Sequence, residues 1–362
     1  MITLAVDAMG GDNAPDAIVE GCVQALRQPD LKLVLVGQAA VLHRLLKKHP
    51  HDGQRLQVVH APEAIGMDEK PKEAVERHPQ SSMRMTAELV ATGKADGLVS
   101  AGNTGALLLT LARTLPRIQG IRRTALAAVY PTERRHGPYG DPFALMLDVG
   151  ATLDASAEDL VRFAIMGHTY ARVISRNPRP RIALLSNGEE AMKGSAEIVQ
   201  AHKLLLKMPE LNFMGNVEGL DIPRGTADVI VCNGFVGNIV IKMLEGVSEV
   251  VGELALYAME RSLIWKTGML LLSRGIKRVL ELTDWEAYGG APILGFQHVV
   301  IKAHGRSGPR ALRNAIKVAA KAVRGRVPDE IRRGVAWMEP RLSALSSENT
   351  GQTPTSGSDP GR

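Results

Sequence analysis

Short, wholly apolar runs alternate with amphipathic stretches along most of this chain. That alternation limits the fold more than any other feature. Residues 2–6, 31–36, 97–100, 126–130, 143–147, 181–185, 211–214 and 229–232 read as strands. Helical periodicity falls between many of them, at 14–26, 38–47, 106–114, 157–174, 195–206 and 311–323. Strands apolar on both faces and separated by helices belong to a mostly parallel sheet covered on both sides. The expected fold class is therefore α/β, a Rossmann-like α/β/α sandwich, here taken as a single domain over residues 1–334. With 362 residues, 45% of them hydrophobic, the chain has enough apolar surface for such a core. Aromatics make up only 4%, so that core must be built from Ala, Val, Leu, Ile and Met.

Two segments break the pattern. Residues 250–284 show no strand signal. Met269, Leu272, Ile276, Val279 and Leu280 share one helical face, Arg274, Arg278 and Glu281 lie opposite, and Leu270 and Leu271 fall beside Trp265. A protruding helical hairpin is expected there, either packed on its own domain or a second subunit, or laid on a membrane surface. Residues 343–362 are rich in Ser, Thr, Gly and Pro and read as a disordered tail. The most apolar long segment, 254–272, is interrupted by Glu260, Arg261 and Lys266, so no membrane-spanning helix is expected. No basic leader precedes residues 2–6, so no signal peptide is expected either. Two cysteines exclude a disulfide framework, and a reducing, cytosolic compartment follows as the expectation.

Four Gly-rich junctions repeat one theme: a strand, then small or polar residues, then a helix. They are VDAMGGDNAP (6–15), VSAGNTGALLL (99–109), LLSNGEEAMKG (184–194) and VCNGFVGNIVIK (231–242). In a parallel sheet such junctions gather at the carboxyl edge of the strands, where open α/β proteins bind ligands. A helix beginning there offers unpaired N–H groups and the positive end of its dipole, so an anion such as phosphate is the natural ligand. None of the four is GxGxxG or GxxxxGK[ST], which excludes the dinucleotide fingerprint and the P-loop. A single junction of this kind is usually only a tight turn; four in one chain, with Asn103, Asn187 and Asn238 nearby, favour a site. Asp7 and Asp12 read equally as a functional carboxylate pair and as turn caps.

A polar stretch over 63–85 carries Lys70, Lys72, Arg77 and Arg84 with Ser81 and Ser82. It reads either as a helix cap or as a basic loop closing over an anion. Charge is also concentrated further on. Residues 302–334 hold ten Lys or Arg against Asp329 and Glu330, in a chain of net charge +6. That patch suits an acidic partner, a phosphate-bearing ligand or an anionic surface, or is simply a solvated helix face. It lacks aromatic stacking platforms, which argues against nucleic acid. No HExxH, clustered His and Cys, or GxSxG occurs, so no metal site or nucleophile elbow is expected. Cys22 and Cys232 sit where a small buried hydrophobe belongs.

Taken together, the motifs resemble one family closely: the bacterial phosphate acyltransferases of phospholipid synthesis. The matching pieces, in order from residue 6 to 316, are VDAMGGDNAP, MDEKP followed by SSM, GLVSAGNTGALL, ALMLDVGA, FAIMGHTYAR, NGEEAMKG, MGNVEGLDI, VCNGFVGNIVIKMLEG, YGGAPILG, and HGRS with NAI downstream. Two departures are visible: Asn233 stands where the family usually has Asp, and Thr152 where it usually has Asn.

The resemblance implies transfer of a long-chain acyl group from acyl carrier protein to inorganic phosphate. The acyl phosphate then feeds a membrane glycerol-phosphate acyltransferase. It also implies a homodimer with sites near the subunit interface, no metal or organic cofactor, and a cytoplasmic protein peripherally associated with the inner face of the membrane. On this reading Asp7, Asn103, Asn187 and Lys193 are catalytic. Gly102, Thr104 and Gly105 bind phosphate with Asn103, and Gly10, Gly11 and Asp12 shape the opposite wall with Asp7. Lys70, Arg77, Ser81 and Ser82 close over the anion. Glu189 contacts the thioester or orients phosphate with Asn187 and Lys193, while Asn216, Glu218, Gly234 and Asn238 line the remaining edge. The competing readings are a short-chain acyl-coenzyme A:phosphate acyltransferase and a non-catalytic membrane scaffold that binds acyl carrier protein.

Overall fold

The computed structural model describes residues 1–261, 267–268 and 289–350. Its strands are β1 (Ile2–Asp7), β2 (Leu31–Gly37), β3 (Leu56–His60), β4 (Gly97–Ser100), β5 (Ala125–His136), β6 (Asp141–Leu147), β7 (Ile182–Leu185), β8 (Phe213–Val217), β9 (Val229–Val231), β10 (Ala291–Leu294) and β11 (Val299–Lys302). They form one sheet in the order β3-β2-β1-β4-β11-β10-β5-β6-β9-β7-β8. Within β3, β2, β1, β4 and β11 every pairing is parallel, as it is within β6, β9, β7 and β8. Antiparallel pairings of β10 with β11 and β5, and of β5 with β6, join the two halves. The α/β class and mostly parallel sheet expected from the apolar runs are therefore what the chain adopts.

The helices are α1 (Asp16–Ala25), α2 (Ala39–Leu46), α3 (Pro71–Arg77), α4 (Ser82–Ala91), α5 (Thr104–Thr114), α6 (Ala157–Val173), α7 (Ala196–Leu206), α8 (Asp221–Arg224), α9 (Gly234–Arg261), α10 (Pro309–Arg324) and α11 (Val327–Thr350). Mostly aliphatic side chains fill both layers between sheet and helices; Leu33, Ile316 and the ring of Phe163 mark one, Leu98, Leu111 and Ile230 the other. α10 shows the pattern at its cleanest. Leu312, Ala315, Ile316, Ala319 and Ala320 are buried against the sheet and α1, while the basic side chains of Arg310 and Lys317 are exposed.

Three strands escaped the pattern reading, each for a physical reason. β3 is a half-exposed edge strand with Gln57 and His60 in it. β10 contains Pro292, a residue that normally argues against an interior strand. β11 ends on Lys302, a residue type rarely buried. The final helix runs to Thr350, past the point where the composition suggested an irregular tail; residues 351–362 lie outside the described residues. Of the expected protrusion over 250–284, residues up to Arg261 continue α9. Trp265, Leu270 and Leu271 lie outside the described residues. No described helix is long and apolar enough to cross a membrane.

α6 is buried along most of its length, beneath α7 and α11. Its approach to the sheet depends on Gly167, where a β-carbon would sit 2.5 Å from Val229 Cγ1 and 2.9 Å from Leu147 Cδ2. Gly167→Ala gains up to about 1 kcal/mol of helix propensity and loses roughly 1–3 kcal/mol to overpacking. The net expectation is a lower Tm in thermal unfolding; an unchanged or raised Tm would show that the helix can move away without cost.

Candidate functional site

A change of partner along β10 opens the sheet. Ala291 and Pro292 pair with β11, whereas Ile293 and Leu294 pair with Leu126 and Ala125 of β5. Beyond Leu126 the strands β5 and β10 have no further bridge. A cavity of about 550 Å³ occupies this gap, within the usual range for small-molecule sites. The turns after β1, β4, β6, β9 and β11 all reach it, through Asp12, Thr104 and Gly105, Val149 and Gly150, Asn238, and Lys302 to Ser307. Both halves of the sheet therefore contribute.

Beneath the cavity two carboxylates are buried. Asp7, at the end of β1, accepts hydrogen bonds from Ser82 Oγ (2.6 Å), Ser100 Oγ (2.8 Å) and the Met9 N–H (3.3 Å). Burial raises its pKa, against the pull of those bonds and of the Lys302 charge. Asp148, after β6, accepts from the N–H groups of Leu126, Gly150, Ala151 and Thr152; burial raises its pKa as well. Gly10 and Gly102 meet over Asp7. A β-carbon on Gly10 would lie 2.5 Å from Asp7 Oδ2 and 2.8 Å from Gly102 Cα. These two glycines therefore serve turn-on-turn packing.

Lys302 is the cation that the sequence reading placed wrongly, as the first member of a surface patch. It is 6% exposed and lines the cavity. Its ammonium donates to the carbonyls of Ala101 (3.2 Å) and Ala303. An ammonium has three hydrogens, which leaves one for the cleft. Burial lowers its pKa to about 8, with Asp7 and Asp12 opposing. Lys242, Arg306 and His304 line the same cavity. Burial, reinforced by Lys242, Lys302 and Arg306 and opposed by Glu245, holds His304 below the ordinary histidine value. Lys242 pairs with Glu245 at 2.7 Å and Arg306 with Glu249 at 3.1 Å. The HGRS motif pointed at this loop, but spacing alone gave no reason to separate Lys302 from the bases that follow.

At the start of α5, Asn103 is fully engaged. Its Oδ1 accepts from the Ala106 N–H (3.1 Å), and its Nδ2 donates to the carbonyls of Met67 (3.0 Å) and Glu69 (3.1 Å). It caps the helix and ties down the loop that brings Met67 to the cavity. The N–H groups of Thr104 and Gly105, in the first turn, have no intrahelical acceptor and border the cavity. Asn233 does the corresponding work at α9, its Oδ1 accepting from the Val236 N–H at 2.9 Å. Asn and Asp cap equally well, so this departure from the family pattern keeps its local bond. Thr152 donates from Oγ1 to the Thr124 carbonyl (2.9 Å) and holds Gly234 through its own carbonyl.

Of the residues singled out from the sequence, Asp12, Thr104, Gly105 and Asn238 line the cavity. Asp7, Gly10, Ser82 and Gly102 lie in the packing beneath it. Gly11 packs its turn against Ala101 and Gly305, and Gly234 sits against Asp148. The others do not line the cavity. Lys70 and Arg77 are exposed and paired with Glu73 and Glu69, and Ser81 is buried with no partner for its hydroxyl. Asn187, Glu189 and Lys193 follow β7, Asn216 lies within β8 and Glu218 follows it, these being the two outermost strands on their side of the sheet. Asn216 is committed to His202 Nδ1 and the Glu190 carbonyl, both at 2.9 Å. The third Gly-rich junction, after β7, thus stands away from the cleft because β9 is inserted between β6 and β7. Among the described residues, no group of three or more His, Cys, Asp or Glu is placed to hold a metal ion.

Asn103→Ala removes a cap and two loop tethers. It should cost about 1–2 kcal/mol, read as a lower urea midpoint. A midpoint equal to the wild-type value would show that the loop holds itself in place.

A family model described as "Fatty acid synthesis protein" matches residues 2–330. The phosphate acyltransferase of Thermoanaerobacter pseudethanolicus is 42% identical over 341 residues, covering 94% of this chain and 99% of that protein. The phosphate acyltransferase of Pelobacter propionicus is 41% identical over 328 residues, covering 91% and 92%. Among solved structures, a phosphotransacetylase from Streptococcus pyogenes superimposes with a TM-score of 0.60 at 16% identity, covering 89% of this chain and 94% of that one. A branched-chain phosphotransacylase from Enterococcus faecalis gives 0.52 at 16% identity, covering 89% and 99%. At these identities the two structures share the fold.

Proposed function

The chain belongs to the fatty acid synthesis protein family and is an acyltransferase, and on that premise we propose that it moves a long-chain acyl group from acyl carrier protein to inorganic phosphate. The observation that carries this reading is the mixed character of one cavity. Lys302, Arg306 and the amide groups of Thr104 and Gly105 offer an anion site, and Leu126, Ala128, Val129, Val149 and Ile241 offer an apolar wall beside it. Phosphate is nucleophilic near neutral pH and needs no Ser–His pair to activate it. One of its oxygens attacks the thioester carbonyl carbon. The new C–O bond forms, the C–S bond breaks, and the released thiolate takes up a proton. The protein's part is alignment and stabilisation of the charge that develops on the carbonyl oxygen.

A homodimer fits the exposed face of α9. Ile239, Met243, Val247, Val250, Leu254 and Tyr257 are 51–60% exposed, and their spacing of three or four residues makes one stripe. The same helix lines the cleft through Asn238, Ile241, Lys242 and Glu245, so a dimer contact on its exposed face would lie beside the site. The basic face of α10 and α11 suits acidic acyl carrier protein. Association with the inner face of the membrane would let the acyl phosphate pass to a membrane glycerol-phosphate acyltransferase.

The direct assay is purified protein with palmitoyl–acyl carrier protein and labelled phosphate, trapping acyl phosphate as hydroxamate. Hydroxamate in step with free carrier protein supports the reading. Activity with acetyl-coenzyme A alone, or carrier-protein binding without product, replaces it with one of the competing readings. Lys302→Met should raise the phosphate KM on the order of 10- to 100-fold, as expected for a charge-assisted bond. In the wild type the ammonium is charged below its pKa of about 8, so phosphate KM should climb as pH rises above that value. A KM flat to pH 10 would remove Lys302 from the anion site. Val247→Glu with Leu254→Glu should convert dimer to monomer in sedimentation; an unchanged sedimentation coefficient would place the interface elsewhere.

A further inference from the structure

The gap beside β5 leaves a piece of interior strand edge without a partner. Leu126 directs both of its main-chain groups toward the β6 side: its N–H donates to Asp148 Oδ1 (2.8 Å) and its carbonyl accepts from Val149 N–H (2.9 Å). Main-chain groups alternate in direction along a strand, so Ala128 faces β6 and Val129 faces away from it. The partner strand agrees. Leu145, opposite Val129, sends its N–H to the Asp228 carbonyl, away from β5. On the side that Val129 faces, β10 has already turned to β11. Among the described residues no strand pairs with Val129 there, and Val129 lines the cavity.

An unpaired N–H and C=O in a mostly apolar cavity are costly unless something bonds them. From this geometry we infer that the Val129 main chain receives an amide of the acyl donor, which adds to β5 as a short extra strand. The donor class is a thioester on an extended, amide-bearing arm of the pantetheine type. Such an arm carries both a donor and an acceptor and lies extended, which is what strand addition requires. Leu126 and Ala128 beside it and Ile241 across the cleft supply the apolar surroundings. The inference rests on the acyl-transfer reading above and adds to it how the donor is recognised.

Palmitoyl thioesters that differ only in the thiol provide the test: pantetheine, N-acetylcysteamine, which keeps one amide, and ethanethiol, which keeps none. The wild type should use the two amide-bearing donors at least about tenfold better in kcat/KM than the ethyl thioester, the worth of one or two hydrogen bonds. Val129→Pro removes the N–H while leaving an edge residue in place. It should lower kcat/KM for the two amide donors about tenfold more than for the ethyl thioester. Equal kcat/KM for N-acetylcysteamine and ethanethiol donors in the wild type overturns the inference without any variant. An equal loss on all three donors in Val129→Pro, if the protein is folded, does so too. Absence of acyl phosphate from every thioester, including acyl carrier protein, would instead defeat the underlying acyl-transfer reading.

Discussion

The Asp7 carboxylate is held out of water at the end of β1, and the architecture around the cleft is arranged to keep it there. Ser82 brings the start of α4 to it, Ser100 brings the end of β4, and Gly10 and Gly102 let two turns close over it. A buried carboxylate needs hydrogen bonds and a nearby cation. Lys302, at the end of β11, provides the charge. The ammonium is thereby fixed in the wall of the cavity, pinned by two carbonyls, with a hydrogen to spare. A group required by the packing is thus delivered to the place where an anion would bind.

The other half of the sheet uses a similar device built from main-chain N–H groups. Asp148 gathers four N–H groups from the turn after β6 and from β5. The start of α9 packs on it, with Gly234 against its carboxylate. The two carboxylates thus shape one wall each. The gap between the walls exists because β10 pairs first with β11 and then with β5. That single exchange makes a cavity where a continuous ladder would otherwise run, and it frees the Val129 edge. The proposed acyl-transfer site is therefore a consequence of strand topology as much as of side chains.

Much of this was legible in the sequence. The apolar runs do form strands of one sheet, interior except for β8 at its edge, and the Gly-rich turns after β1, β4 and β9 do meet at one cleft. What was hidden depended on strand order, which periodicity does not encode. The NGEEAMKG turn looks like the others, yet β9 separates its strand from β6, so its Asn187 and Lys193 lie elsewhere. Asn103 was singled out for its amide, and that amide is spent on Ala106, Met67 and Glu69. Lys302 was grouped with the bases of α10 and α11 because nothing local marks one lysine as buried and the next as exposed.

One cleft, built by turns from both halves of the sheet, is proposed to hold phosphate against the acyl thioester. A crystal structure with phosphate and an unreactive thioether analogue of the donor tests it most directly. Phosphate should lie within hydrogen-bonding distance of Lys302 Nζ and the first-turn amides of α5, with the thioether along β5. Phosphate bound at the Asn187–Lys193 turn or on the Lys70 and Arg77 face, with the cleft between β5 and β11 empty, would contradict it.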